Sequence, residues 1–359
     1  MWGLVDGTII RKRQGQGQGE GRGMGQGEGR GRGRGRVEVG HSIGDTTLME
    51  LRRILVLTAI CVAGCGGPPG DAAVRKVLVV FNAGSLARPL RAALDSFAVR
   101  EGAEVQQESA GSLETARKLT ELGKVPDIIA LADEDVFPGL LMPEHVTWYA
   151  RFAHNRMVLA YTDRSKFVGE ITADNWWNVL TRAGVETGRS DPQRDPNGYR
   201  TLLVLQLAER HYAQPGLGAR LLKAMPARNV RPSETDLVGL LQAGELDYIW
   251  SYESMATAQG LKYLQLPSAI DLSSVADSAT YAAASVKVRG KGADSVTFHG
   301  RPIVYALSVP PNAPHRQLGE RFVRWLASPD GRRMLRAQGL DALDSVSVVG
   351  TGAPAGLGK

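Results

Sequence analysis

Two copies of one phrase, Ala83-Gly84-Ser85-Leu86 and Ala110-Gly111-Ser112-Leu113, decide how the chain is read. The first follows the apolar run Val77-Leu78-Val79-Val80-Phe81 and precedes a stretch in which Leu86, Leu90, Leu94 and Phe97 recur at helical spacing. The second follows Ala103 to Glu108, a short strand, and precedes Leu113 to Leu119, whose composition is helical. Each copy is therefore a strand-turn-helix junction. In one sheet, two such junctions bring two helix N-termini to the same edge. Each offers a serine at an N-cap position, free backbone N–H groups and a glycine that permits close approach, a combination suited to an anion. Either serine alone reads as a helix cap. Capping needs no repeated Ala-Gly, however, so the repetition points to one shared ligand.

The chain of 359 residues has room for two domains and a large core. Residues 1–48 stand apart: from Gly15 to Gly35 every second residue is glycine, a low-complexity pattern that buries no apolar surface. From Met49 a basic Met-Glu-Leu-Arg-Arg leads into an apolar run, Ile54 to Ala63, and then Gly64-Cys65. That is a secretory signal over residues 49–64, too short for a membrane span. Val62-Ala63-Gly64-Cys65 resembles a bacterial lipobox, which implies lipid attachment at Cys65 and an extracytoplasmic, membrane-anchored location, periplasmic or cell-surface. On this reading Met49 is the start and residues 1–48 are a mis-assigned extension.

The charge changes with that reading. The whole chain carries +6, but residues 1–64 hold 10 basic and 6 acidic residues, so the remainder has 33 and 31 and a net charge of +2. A nucleic-acid partner loses its support. Both cysteines, Cys61 and Cys65, lie in the signal region, leaving neither a disulfide nor a thiolate metal site to the folded part. Residues 65–74 have linker composition.

The folded part begins near residue 75. After the two junctions, Val125 to Asp133 reads as a third buried strand that ends in a carboxylate. Strands alternating with helices indicate a doubly wound α/β sheet, with ligands beyond the carboxyl ends of the strands. Long strands at Asn155 to Thr162 and Arg301 to Pro310 bracket enough chain for a second α/β lobe, with a cleft at the hinge. One helix is expected from Gln317 to Gln338 and a frayed tail at the end. In the second lobe, a turn-rich loop from Gly188 to Arg200 leads into a helix expected over 201–212. Ser233 reads as the N-cap of a helix with Glu234 in its first turn, and a strand from Leu246 ends at Ser251-Tyr252-Glu253. Taken by themselves, Asp195 is a turn residue before proline and Glu234 an acid that complements a helix dipole.

In order and spacing, the stretches Phe81 to Leu86, Glu108 to Ser112, Gly188 to Arg200, Arg231 to Glu234, Gly244 to Tyr248, Gly300 to Tyr305 and Val309 to Pro314 resemble the tungstate- and molybdate-binding lipoproteins of ABC transporters, in their archaeal-type branch. The likeness covers nearly all of residues 77–343. It implies a two-lobed type II periplasmic-binding-protein fold, α/β with a hinge cleft: 75–156 in the first lobe, 157–266 in the second, 267–345 returning to the first, and 346–359 a flexible tail. It implies capture of tungstate or molybdate for an ABC transporter permease, by a monomer without cofactor or catalysis. Ser85, Ser112 and Tyr252 would hydrogen-bond the oxyanion behind Gly84 and Gly111, and Asp195 and Glu234 would reach the tungsten or molybdenum itself. Asp191 and Glu253 are lesser candidates. Two carboxylates repel a dianion unless they bond to its metal, which a hexavalent centre allows by expanding its coordination and sulfur or phosphorus does not. The chain departs from the pattern at Asn197, where relatives have cysteine, and at Glu253, where a basic residue is usual.

Other readings are a receptor for sulfate or phosphate, or an extracellular hydrolase. Gly40-His41-Ser42-Ile43-Gly44 fits a nucleophile elbow but follows no strand. His145, His154, His211, His299 and His315 have no paired ligand spacing.

Overall fold

The computed structural model describes residues 76–290 and 293–357. The glycine-rich extension, the signal, Cys61, Cys65, the linker and the Gly40 to Gly44 motif lie outside the described residues.

The described residues form one compact unit built on two main sheets. The first sheet has the order β13-β4-β12-β3-β1-β2, with β1 Lys76–Ala83, β2 Ala103–Ala110, β3 Ile128–Leu131, β4 Trp148–Asn155, β12 Ile303–Ser308 and β13 Asp341–Gly350. The second has the order β7-β6-β8-β5-β9, with β5 Met157–Tyr161, β6 Thr187–Ser190, β7 Val230–Arg231, β8 Tyr248–Tyr252 and β9 Lys262–Gln265. A hairpin of β10 Ser285–Arg289 and β11 Ser295–His299 stands apart from both. This is the two-lobed α/β architecture expected.

The repeated phrases end β1 and β2, which run parallel with Ala83 opposite Ala110. The two turns thus leave the sheet side by side. Behind the first turn, the helix Ala87–Glu101 buries Leu90, Leu94 and Phe97, and Phe97 meets Phe322 edge-on at 5.2 Å between ring centroids. Burying each such side chain contributes about 1.5–3 kcal/mol, which fixes the helix on the sheet and the turn at its edge.

Several expectations are corrected. The stretch from Asn155 to Thr162 is not one strand: Asn155 pairs with Ile303 in the first sheet, while Met157 pairs with Tyr252 in the second, so the chain changes lobe at Arg156. The helix expected over 317–338 is two, Arg316–Leu326 and Pro329–Ala337, because Pro329 supplies no N–H to continue the first and Ser328 caps the second through Gly331. Residues 267–299 do not rejoin the first sheet at once. Gln206 and Arg210 of the helix Pro196–His211 donate to the carbonyls of Ser285 and Ala283, and the return comes at Ile303, whose N–H bonds Leu272. The flexible tail expected from 346 begins instead with ordered chain: β13 pairs with β4, and Ala353 and Leu357 pack on the core. The helix expected from 201 starts at Pro196, with Asp195 as its N-cap.

Candidate functional site

The lobes meet where the two Ala-Gly-Ser-Leu turns face the N-termini of two second-lobe helices. A Cβ on Gly111 would stand 2.3 Å from the carbonyl oxygen of Arg194, and one on Gly84 would stand 2.8 Å from Oγ1 of Thr235. These glycines thus admit the opposing lobe. The same carbonyl of Arg194 accepts the N–H groups of Leu113 and Glu114, both at 3.1 Å. In this closed arrangement those amides of the second junction are not free for an anion, contrary to expectation.

Nor do the serines cap. The helix Ser112–Thr120 has Gly111 at its N-cap, Ser85 lies in a short 3-10 turn, and neither turn has a side-chain cap bond. Oγ of Ser112 accepts the N–H of Ala132 at 3.0 Å, and Oγ of Ser85 accepts the hydroxyl of Tyr305 at 2.9 Å. Each hydroxyl receives a bond from the protein and keeps its own proton to donate, which suits an oxyanion. Both serines are buried. Tyr305 is itself held by the side-chain amide of Asn155 at 2.8 Å, at the point where the chain crosses between lobes.

From the other lobe come the two carboxylates. Asp195 accepts the N–H of Asn197 on Oδ1 at 3.0 Å and that of Glu234 on Oδ2 at 2.9 Å, so it stands at two helix N-termini at once. The helix Glu234–Ala243 starts there because Ser233 and Asp236 form a capping box before it. Oε1 of Glu234 accepts the hydroxyl of Ser251 at 2.7 Å and the N–H of Tyr252 at 2.6 Å. Its other oxygen, Oε2, is buried without a hydrogen-bond partner among the described residues. Burial raises the carboxyl of Asp195 to about 6 against its hydrogen bonds. Burial, together with the charge of Asp195, raises that of Glu234 to about 8.

Tyr252 is fully buried, and its hydroxyl accepts Nη1 of Arg200 at 2.9 Å. Burial foremost lifts its ionisation well above the usual tyrosine range, so it stays a donor. Arg200 and its partner Asp133 are the residues that sequence reasoning left without a role. Nη2 of Arg200 pairs with Oδ2 of Asp133 at 2.9 Å, and Nη1 also reaches the carbonyl of Ala132 at 2.6 Å, so the contact spans both lobes. The available signal was an arginine directly before the apolar run Leu202 to Leu205 of the helix Pro196–His211.

Of the lesser candidates, Asp191 closes a turn by accepting the N–H of Gln193 at 2.8 Å. Glu253 pairs with Arg156 at 3.0 Å and accepts the hydroxyl of Tyr263 at 3.1 Å, so its charge is compensated at the hinge. Asn197 is buried and ties the site together: it accepts from Ser190 at 3.0 Å and donates to the carbonyl of Trp250 at 3.2 Å. Among the described residues no cluster of three or more His, Cys, Asp or Glu could hold a metal ion. A metal carried by its own oxygen ligands asks less: two carboxylates and a ring of donors.

Residues 78–341 match the family of bacterial extracellular solute-binding proteins. An uncharacterized solute-binding protein from Petrotoga mobilis is 43% identical over 269 residues, covering 74% of this chain and 84% of its own length. Molybdate/tungstate-binding protein WtpA from Pyrococcus abyssi is 35% identical over 324 residues, covering 82% and 93% respectively. The periplasmic molybdate-binding protein of Azotobacter vinelandii superposes with a TM-score of 0.53 at 17% identity, over 73% of this chain and 98% of that one, a likeness of fold. The family match, the close relatives and the shared two-lobed fold agree: the chain belongs to the bacterial extracellular solute-binding proteins and has the type II periplasmic-binding-protein architecture.

Proposed function

We propose that the chain captures tungstate or molybdate between its lobes and presents it to an ABC transporter permease. The observation that carries this reading is the buried, unpartnered Oε2 of Glu234 beside the carboxylate of Asp195. A buried polar atom without a partner costs about 1–3 kcal/mol, more when charged. A ligand that accepts a lone pair from it recovers that cost. A hexavalent tungsten or molybdenum centre does so as a hard Lewis acid, and oxygen donors are what it prefers. The relative from Pyrococcus abyssi, named for these two anions, supports the choice.

In this mechanism Ser85 and Ser112 donate their hydroxyl protons to oxyanion oxygens from one lobe and Tyr252 donates from the other. Asp195 and Glu234 coordinate the metal. Because the ligand touches both lobes, it binds the closed form differentially and shifts the population toward it. Sulfate and phosphate offer no vacant coordination positions, so the same two carboxylates repel them. Isothermal titration calorimetry with tungstate, molybdate, sulfate and phosphate tests the reading. Binding of the first two alone supports it, and binding of sulfate or phosphate with equal strength overturns it.

One observation favours a second reading. With its carboxyl raised to about 8, Glu234 holds a proton at neutral pH and could donate it to any tetrahedral oxyanion. The two readings differ in proton balance, since coordination expels that proton and hydrogen bonding keeps it. Neither includes catalysis.

The same proposal extends to location. Cys65 is read as the lipid attachment site of an extracytoplasmic, monomeric receptor, which mass spectrometry of the membrane-extracted protein tests. Among the described residues no helix is long and apolar enough to cross a membrane.

A further inference from the structure

An arginine beside an oxyanion cleft is ordinarily the group that seizes a tetrahedral anion, because its planar fork meets two oxygens at once. Arg200 is buried beside this cleft, yet its fork is already closed on its own chain. Nη2 pairs with Oδ2 of Asp133 at 2.9 Å, and Nη1 donates to the carbonyl of Ala132 at 2.6 Å and to the hydroxyl of Tyr252 at 2.9 Å. Asp133 is held in turn: Tyr199 donates its hydroxyl to Oδ2, and the N–H of Asp135 donates to Oδ1 at 2.9 Å. A buried carboxylate with this many donors is built to stay where it is.

We propose that Asp133 is a specificity-determining residue: by neutralising Arg200 it withholds from the cleft the positive charge that a hydrogen-bonded sulfate or phosphate needs. The inference rests on the reading of the cleft as a tungstate and molybdate site. At the cleft three buried acids, Asp133, Asp195 and Glu234, stand with the buried guanidinium of Arg200. With Asp133 in place Arg200 lends the cleft no net charge, and a tetrahedral dianion without coordination chemistry meets hydroxyl donors beside the carboxylate of Asp195 and the carboxyl of Glu234 with no help from that guanidinium. Without the charge of Asp133, the Arg200 charge acts at short range in a medium of low dielectric, where it offsets the carboxylate of Asp195.

The test is competitive titration of the full chain with tungstate, sulfate and phosphate, in wild type and variants. Asp133→Asn keeps the shape and removes the charge. It is expected to raise sulfate and phosphate affinity about tenfold or more, lowering the tungstate-to-sulfate ratio by the same factor. Asp133→Asn/Arg200→Gln removes both charges and is expected to return the ratio to the wild-type value. Tyr199→Phe deletes one hydrogen bond to Asp133 with both charges kept, and should leave the ratio unchanged. Asp133→Ser carries the same expectation as Asp133→Asn with a smaller side chain, should the first variant fail to fold. A parallel weakening of all three anions, or an unchanged ratio in a folded neutral variant, overturns the proposal in favour of a purely structural pair. If the wild type binds tungstate while Asp133→Asn discriminates as before, this inference alone falls. If the wild type binds neither tungstate nor molybdate, the reading of the cleft falls and takes the inference with it.

Discussion

The backbone N–H of Glu234 donates to Oδ2 of Asp195 at 2.9 Å, so one proposed metal-binding carboxylate anchors the first residue of the helix that carries the other. Asp195 is also the N-cap of its own helix, Pro196–His211. Two helix N-termini converge on one carboxylate, which favours its charged form, while burial opposes it and prevails.

Neutral replacements therefore separate binding from folding. Glu234→Gln keeps an oxygen for the hydroxyl of Ser251 and the N–H of Tyr252 and removes a buried acid whose other oxygen, Oε2, has no partner in the ligand-free fold. Its ligand-free melting temperature is expected to equal or exceed that of wild type, while tungstate affinity falls about a hundredfold, roughly 2.7 kcal/mol. Asp195→Asn has one oxygen where two N–H groups are served and should lose about 1–2 kcal/mol of stability as well as binding. Calorimetry and thermal unfolding measure both, and a Glu234→Gln protein that binds normally removes that residue from the ligand set.

The pH dependence has a definite sign. Glu234 is raised to about 8 in the fold from an ordinary value of 4.5, and Asp195 to about 6 from 3.8. Between the ordinary and raised values the folded chain holds protons that the unfolded chain has released. Stability of the ligand-free protein is thus expected to decline as pH rises from about 4 to about 8, and to level off above. Melting temperatures at pH 5, 6.5 and 8.5 check the trend, and a rise across this range contradicts it.

Coordination by Glu234 has to expel its proton. Titrations with tungstate at pH 7 in Tris and in HEPES, whose ionisation enthalpies differ, should report release of about one proton per anion bound. Binding without release assigns Glu234 the role of a hydrogen-bond donor and favours the second reading.

The two serines should respond differently. Ser85→Ala leaves the hydroxyl of Tyr305 to find another partner and is expected to weaken binding about tenfold with little change in stability. Ser112→Ala strands the buried N–H of Ala132, so its affinity loss should come with about 1–3 kcal/mol of destabilisation. Denaturant unfolding beside titration distinguishes the two.

Closure can be blocked at a glycine. Gly111→Ala places a methyl group 2.3 Å from the carbonyl oxygen of Arg194, a contact that only lobe separation relieves, whereas Gly84→Ala meets the side chain of Thr235 at 2.8 Å and can be relieved by a rotation. The first variant is expected to fold and lose ligand-induced compaction in small-angle scattering. The second should retain most of it.

How much of this was legible in the residues varies by element. The apolar run before Ala83, the helical spacing of Leu90, Leu94 and Phe97, and the Ser233 cap are local features, and local periodicity and capping decide them. The break at Pro329 is equally local, but apolar residues keep helical spacing on either side of it and mask it. The change of lobe at Arg156 is invisible in a run that reads as one strand, since β propensity does not say with which strand a residue pairs.

The sequence by itself determined that two matched serine turns end neighbouring strands of an α/β fold, because strand, turn and helix preferences act over a few residues. Only the tertiary structure decided what those turns face. The serines occupy positions that read locally as helix caps, yet their oxygens accept bonds from Tyr305 and Ala132. The glycines were expected to admit a ligand and instead admit the opposing lobe. The Arg200 to Asp133 pair joins residues 67 positions apart, one from each lobe. Contacts of that range depend on how two sheets come together, and no local pattern in the chain encodes the distance between them.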